Sequence, residues 1–285
     1  MRDANINFSV LQSPLYYKYK GKTIESPLLM NVRKDNGAIL GYVSQGYKLI
    51  NHKTMIDETY QALKKAGLTV RQNAIEHYVT NGGSRVISKF NFPEKIVLAK
   101  NDIINLGLWI YQSYDGSLCE QAIFGLMRLV CTNGMVIGLE TYAKLKWMHR
   151  ANFGIDKFIA GLSNGMDEYK NKSVEKIQSL IDMKCSYIDG KGLVASMTGA
   201  EKEEKLKKKK SNKPEKKITR ILPKRFFEPV SEYFKSPTIK EDKEKNLWSL
   251  YNACTYHIER DNKFSQIKKN ESTNKVFNYL SKQAH

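Results

Sequence analysis

The chain predicts an α+β protein: an antiparallel sheet of short strands with packed helices, one long helix, and a small C-terminal helical module after a Lys-rich linker. Three observations carry that prediction. The first half is cut by glycine turns into short runs, several of which alternate apolar and polar residues. Beyond Asn152, apolar residues recur every three or four positions, the helical period. Residues 201–220, EKEEKLKKKKSNKPEKKITR, then interrupt the pattern with a run almost empty of apolar side chains. The expected divisions are 1–150 for the sheet and helix core, 151–200 for the long helical segment, 201–222 for the flexible linker and 223–285 for the distal module.

Taken in order, strands are expected over Tyr16–Lys20, Leu28–Arg33 and Ala38–Ser44. The last two flank Asp35-Asn36-Gly37, and Asn-Gly between extended runs is a strong hairpin signal. His52–Ala66 reads as a helix: Met55, Ile56, Tyr60 and Leu63 share a face, Asn51 is placed to cap it and Gly67 follows its end. Thr69–Gln72, Ile75–Thr80, Arg85–Phe92, Ile103–Gln112 and Leu118–Val130 continue as strands in meander order, with Asn81-Gly82-Gly83 as a break. Asp115-Gly116 predicts a type I′ hairpin, which needs positive φ at both central residues. Thr141–His149 reads as a further strand, with a helix as the alternative. One apolar stripe runs from Ile155 to Ile188, and Phe226–Phe234 and Leu247–Ile258 supply the distal helices.

Composition narrows the function classes. A chain of 285 residues with 41% apolar content and 16 tyrosines can bury a sizeable core. Its net charge of +18, with a pI near 9.5, attracts polyanions, nucleic acid above all. Ten Lys and Arg against four Glu give residues 201–220 a net of +6, so one third of the excess sits in that run, as a solvated linker or as a polyanion-tethering arm. No long apolar run and no apolar leader stand in the sequence, which predicts a cytoplasmic protein. Cys119, Cys131, Cys185 and Cys254 are far apart and form no CxxC, the spacing expected of reduced structural thiols.

No enzymatic constellation is visible. His52, His77, His149 and His257 lack metal-ligand spacing, and neither a phosphate-binding glycine loop nor a nucleophile elbow occurs. The chain is accordingly expected to be no enzyme and to carry no metal or cofactor. Single-stranded nucleic acid, by contrast, is held by cations interleaved with aromatic faces. Three places have that composition: Lys144, Lys146, Trp147, His149 and Arg150; Arg85 and Lys89 beside Phe90; and Tyr47 and Lys48, with Lys64, Lys65 and Arg71. Arg128 is a further candidate for polyanion contact. Taken alone, each patch more commonly reads as a solvated basic face over a core aromatic; their repetition in one basic chain favours nucleic acid.

Several segments together resemble a phage- and plasmid-borne family, domain of unknown function 932. NGAILGYVSQGYKLINH looks like that family's opening hairpin, SYDGS like its HDGS-type turn, and RLVCTN like its Arg-Val-Val-Cys-x-Asn strand end. LKWMHRAN and NLWSLYNACTYHIE resemble its later strand and its distal Trp-x-x-Tyr-Asn-Ala-x-Thr helix. Tyr114 stands where the family pattern has His, so any role of that imidazole is absent, and the loop after Ser196 is richer in lysine. The resemblance implies a mobile-element context and no defined activity. A looser likeness to phage single-strand annealing recombinases rests on architecture, without a shared motif.

The expectation is therefore a phage-type, non-enzymatic protein that binds and anneals single-stranded DNA in recombination or replication, as a homo-oligomer. Arg85, Lys89, Lys144, Lys146 and Arg150 would neutralise backbone and Trp147 would stack on bases. The alternative is a phage inhibitor that disables a host anti-phage defence complex by protein binding. A basic face serves either role.

Overall fold

A computed structural model describes residues 6–71, 75–98, 102–128, 144–147, 155–200 and 220–284. The fold is α+β, as expected, with two antiparallel sheets and six α-helices among these residues. The first sheet holds β1 (Val10–Tyr19), β2 (Lys22–Arg33) and β3 (Ile39–Ser44) in that order. Helix α1 (His52–Lys65) follows, burying Met55, Ile56, Ala62 and Leu63 as the spacing required.

The second sheet runs β4 (Ile75–Thr80), β5 (Arg85–Val97), β6 (Ile103–Ser113), β7 (Glu120–Arg128) and β8 (Lys144–Trp147), the predicted meander. Thr141–His149 thus resolves as a strand over its described part. Central strand β6 is buried on both faces from Ile104 to Ser113. Alternation there marks the face of each residue, and burial is complete on either side.

Two turns differ from expectation. Asp115 keeps a negative φ and only Gly116 is left-handed, so residues 114–119 form a longer loop instead of a type I′ turn. The Asp115 carboxylate shapes it, accepting from the Ser117 N–H at 2.9 Å and from the Ser117 hydroxyl. The two-residue turn with two positive φ values lies instead between β1 and β2, at Lys20 (φ 47°) and Gly21 (φ 77°), with Tyr19 opposite Lys22. The Asn81–Gly83 break is a tight turn in which all three residues have positive φ (51°, 66° and 108°). Thr69–Gln72, expected as a strand, has no regular structure over its described residues.

The expected long stripe is two helices, α2 (Ile155–Asp182) and α3 (Tyr187–Thr198). The chain is pinned at the break: the Cys185 N–H donates to Lys245 O at 3.0 Å, and Ser186 Oγ caps α3 by accepting from Asp189 N at 3.1 Å. Ile188 is consequently exposed rather than part of a continuous buried seam. The distal helices are α4 (Phe227–Lys235), α5 (Leu247–Arg260) and α6 (Gln266–Ser281). The last had no counterpart in the reading of the sequence. Its buried side chains include Asn270, Ser272, Thr273 and Asn274 beside Val276, Phe277 and Leu280, so its inward face carries a diluted apolar signal.

The chain divides into two compact units that do not follow chain order. One comprises residues 1–94, 106–125 and 140–166; the other comprises 95–105, 126–139 and 167–285. In the first, Phe8, Val10, Leu40 and Tyr114 form a core cluster with Leu49 against it. In the second, Val230, Phe234, Tyr251, Cys254, Ile258, Phe277 and Leu280 make the centre of the helical packing. The stretch 201–219 of the expected linker lies outside the described residues.

Candidate nucleic-acid interface

The first unit is organised around Tyr114. Its hydroxyl accepts from His52 N at 2.7 Å, its amide donates to Ser84 O at 2.6 Å, and its carbonyl accepts from Asn31 Nδ2 at 2.6 Å. The ring lies 3.9 Å from the His52 ring between centroids. Burial pushes its phenol up to about 12, the mark of a hydroxyl that stays neutral. Tyr114 is therefore a structural residue of this turn. His52 is held too: Nδ1 meets Gln112 Oε1 at 2.6 Å and Nε2 meets Gly83 O at 3.1 Å, while Gln112 Nε2 donates to Ile50 O.

The expected cations fall in three settings. Arg85 opens β5 partly exposed, its Nε 3.0 Å from Asp115 Oδ2. Burial works to raise the Asp115 carboxyl, but hydrogen bonds from Ser117 and the Arg85 charge outweigh it and hold the group below its ordinary range. Lys89 departs from expectation. It is 4% exposed, 4.0 Å from Glu76 Oε1 and over the Trp109 ring, and Phe90 beside it is fully buried. One member of the third patch is likewise turned inward: Tyr47 is buried and donates its hydroxyl to Ser113 O at 2.7 Å. Lys64, Lys65 and Arg71 are exposed.

Arg128 departs furthest. In the second unit it is fully buried, its Nε 2.7 and 2.9 Å from the Asp102 oxygens and its Nη1 2.8 Å from Asp242 Oδ1. Trp248 Nε1 donates to Asp102 Oδ2 at 2.8 Å. Burial lifts the Asp242 carboxyl above its ordinary range against the opposing pull of Arg128. A guanidinium inside two carboxylates has no surface to offer a polyanion. It binds the ends of β6 and β7 to the helical module within this unit.

Lys144, Lys146 and Trp147 lie on β8, the edge strand, opposite Ile123, Gln121 and Glu120 of β7. His149 and Arg150 lie outside the described residues, as does Cys131. Of the other thiols, Cys119 is half-buried, and burial pushes Cys254 up to about 12 and Cys185 up to about 11, so both are protonated structural groups at neutral pH. Among the described residues no group of three His, Cys, Asp or Glu is arranged to hold a metal ion, and no helix is long and apolar enough to cross a membrane.

Reasoning from sequence also missed a surface. The β1–β2 hairpin, YYKYKGK over residues 16–22, exposes Tyr16, Tyr17 and Tyr19 among Lys18, Lys20 and Lys22. The signal was in the alternation of aromatic and lysine, obscured because a strand of that composition is ordinarily half-buried.

Two antiparallel sheets with a helical module, a buried Arg-Asp-Trp lock and a tyrosine-centred turn define an α+β protein built as a framework. The chain belongs to the family described as Domain of unknown function (DUF932), which matches residues 39–278. Strands β1 and β2 precede that match. No curated protein and no solved structure matches the chain.

Proposed function

We propose that the protein binds single-stranded DNA in phage recombination or replication, promotes annealing of complementary strands, and does so in the host cytoplasm without catalysing a covalent step. The observation that carries this reading is the charge balance. The net is +18, and the internally paired cations Lys89 and Arg128 are neutralised within their own sites, so the excess belongs to the remaining lysines and arginines. A field of that sign concentrates polyanions and accelerates their capture.

The test is a titration of a labelled single-stranded oligonucleotide at two salt concentrations. Binding at micromolar protein that weakens steeply with salt, through counterion release, is expected. Absence of salt-sensitive binding rejects the proposal.

Self-association belongs to the same reading. Its support is the outward face of the first sheet, where Leu11, Leu28, Ile39 and Tyr42 stand exposed, with Leu11 and Ile39 both opposite Val32 and Tyr42 opposite Met30. Light scattering should find a species heavier than the 32.8 kDa monomer; a monomer at high concentration removes this part.

A further inference from the structure

We infer that the β1–β2 hairpin is a stacking platform for unpaired bases, with Tyr17 and Tyr19 receiving two bases and Lys20 in the turn and Lys22 on the same face meeting the flanking phosphates. The inference rests on the nucleic-acid reading above and names the surface responsible for it.

Geometry comes first. Tyr17 and Tyr19 are 50% and 58% exposed, and alternation along β1 puts them on one face. Cross-strand partners share a face, so Ile24 and Lys22 join them, while Tyr16, Lys18, Thr23 and Glu25 occupy the other. Two residues along a strand span about 7 Å. Bases stacked in a duplex are about 3.4 Å apart and admit no ring between them. A spacing near twice that value suits bases already separated in a flexible single strand, so the platform selects single strands by geometry.

Charge and strain point the same way. Over residues 16–25 three lysines face a lone Glu25, and the Lys20 ammonium lies 5.4 Å from the centroid of the Tyr19 ring. Lys20 holds a left-handed φ of 47° at the first central position of the turn, where Asn, Asp or Gly is the favoured residue. A lysine there keeps a cation at the tip of the hairpin against local preference, the kind of conflict that collects at functional positions. Exposed aromatic faces bordered by cations are what sequence-tolerant single-strand binders present.

The experiment compares the full chain with Y17A/Y19A, Y17F/Y19F and K20Q/K22Q, using a fluorescent mixed-sequence single-stranded oligonucleotide, with thermal unfolding of each variant alongside. The alanine pair is expected to bind roughly 25-fold or more weakly, at 5-fold or more per lost stacking ring, while the phenylalanine pair retains near-normal affinity. The double glutamine variant is expected to reduce the dependence of log affinity on log salt by about 1.4, at about 0.7 per phosphate. Unfolding temperatures should be unchanged, since the side chains are exposed. If the parent binds and the alanine pair binds equally well, the platform is overturned while the nucleic-acid reading stands. A loss shared by the phenylalanine pair also overturns stacking. If the parent itself does not bind, both fall.

Discussion

Arg128 and Asp115 show how the same kind of ion pair does different work at different depths. Arg128 has traded its hydration for Asp102 and Asp242, with Trp248 holding the first carboxylate in place. Removing one partner of a buried pair leaves the others desolvated and uncompensated. Arg128→Met is therefore expected to cost about 3–5 kcal/mol in urea unfolding. Asp115 is only partly buried, and its carboxyl lies below its ordinary value of 3.8 in the folded state. An acid with a depressed folded pKa contributes stability above its unfolded pKa and loses it as pH falls through the folded one. Unfolding temperature measured downward from neutral pH should thus fall below about pH 4 in the parent. Asp115→Asn should lower stability at neutral pH and weaken that acid dependence. Neither residue's depth was legible beforehand. Arg128 lies in a run, FGLMRLV, whose apolar neighbours mark a buried strand, but its carboxylate partners are 26 and 114 positions away in sequence. Pairing at that separation is a property of the tertiary fold.

At the scale of elements, periodicity proved a good guide wherever one face alone is buried. Helix α1 follows from its pattern, because a helix with one wet face must repeat at its own period, whereas β6 alternates Ile and Leu with other residues and is still buried on both faces. Where burial is polar or turn geometry rules, the pattern weakens. Helix α6 hides behind its buried Asn, Ser and Thr, and the stripe from Ile155 divides at Ser186 because a hydroxyl cap and a main-chain bond to Lys245 outcompete continued helix. The helical module also contains a controlled contrast between two glycines of α3. A Cβ on Gly190 would collide with the Phe234 ring, whereas Gly192 faces open space. Gly190→Ala should destabilise by about 1–3 kcal/mol through overpacking. Gly192→Ala should stabilise by up to about 1 kcal/mol through helix propensity. Chemical denaturation of the two variants measures both.

For the whole molecule, the charge was legible at once and its distribution was not. Composition alone counts Lys89 and Arg128 with the rest, yet the fold withdraws both to its interior. The hairpin at residues 16–22, by contrast, became conspicuous only when its three tyrosines proved to be exposed. Exposed aromatics carry weight because solvent ordinarily takes lysine and leaves tyrosine rings at least half-covered. The protein is a basic framework with Lys89 and Arg128 paired in its interior, and the proposal assigns its exterior cations to a polyanion.

The most direct test of that claim is a competition titration of the full chain between a single-stranded oligonucleotide and the duplex of the same sequence, at about 50 mM and 200 mM salt. The account predicts tighter binding to the single strand at both concentrations, with affinity for both falling as salt rises. Equal affinity for strand and duplex, or binding indifferent to salt, would contradict it.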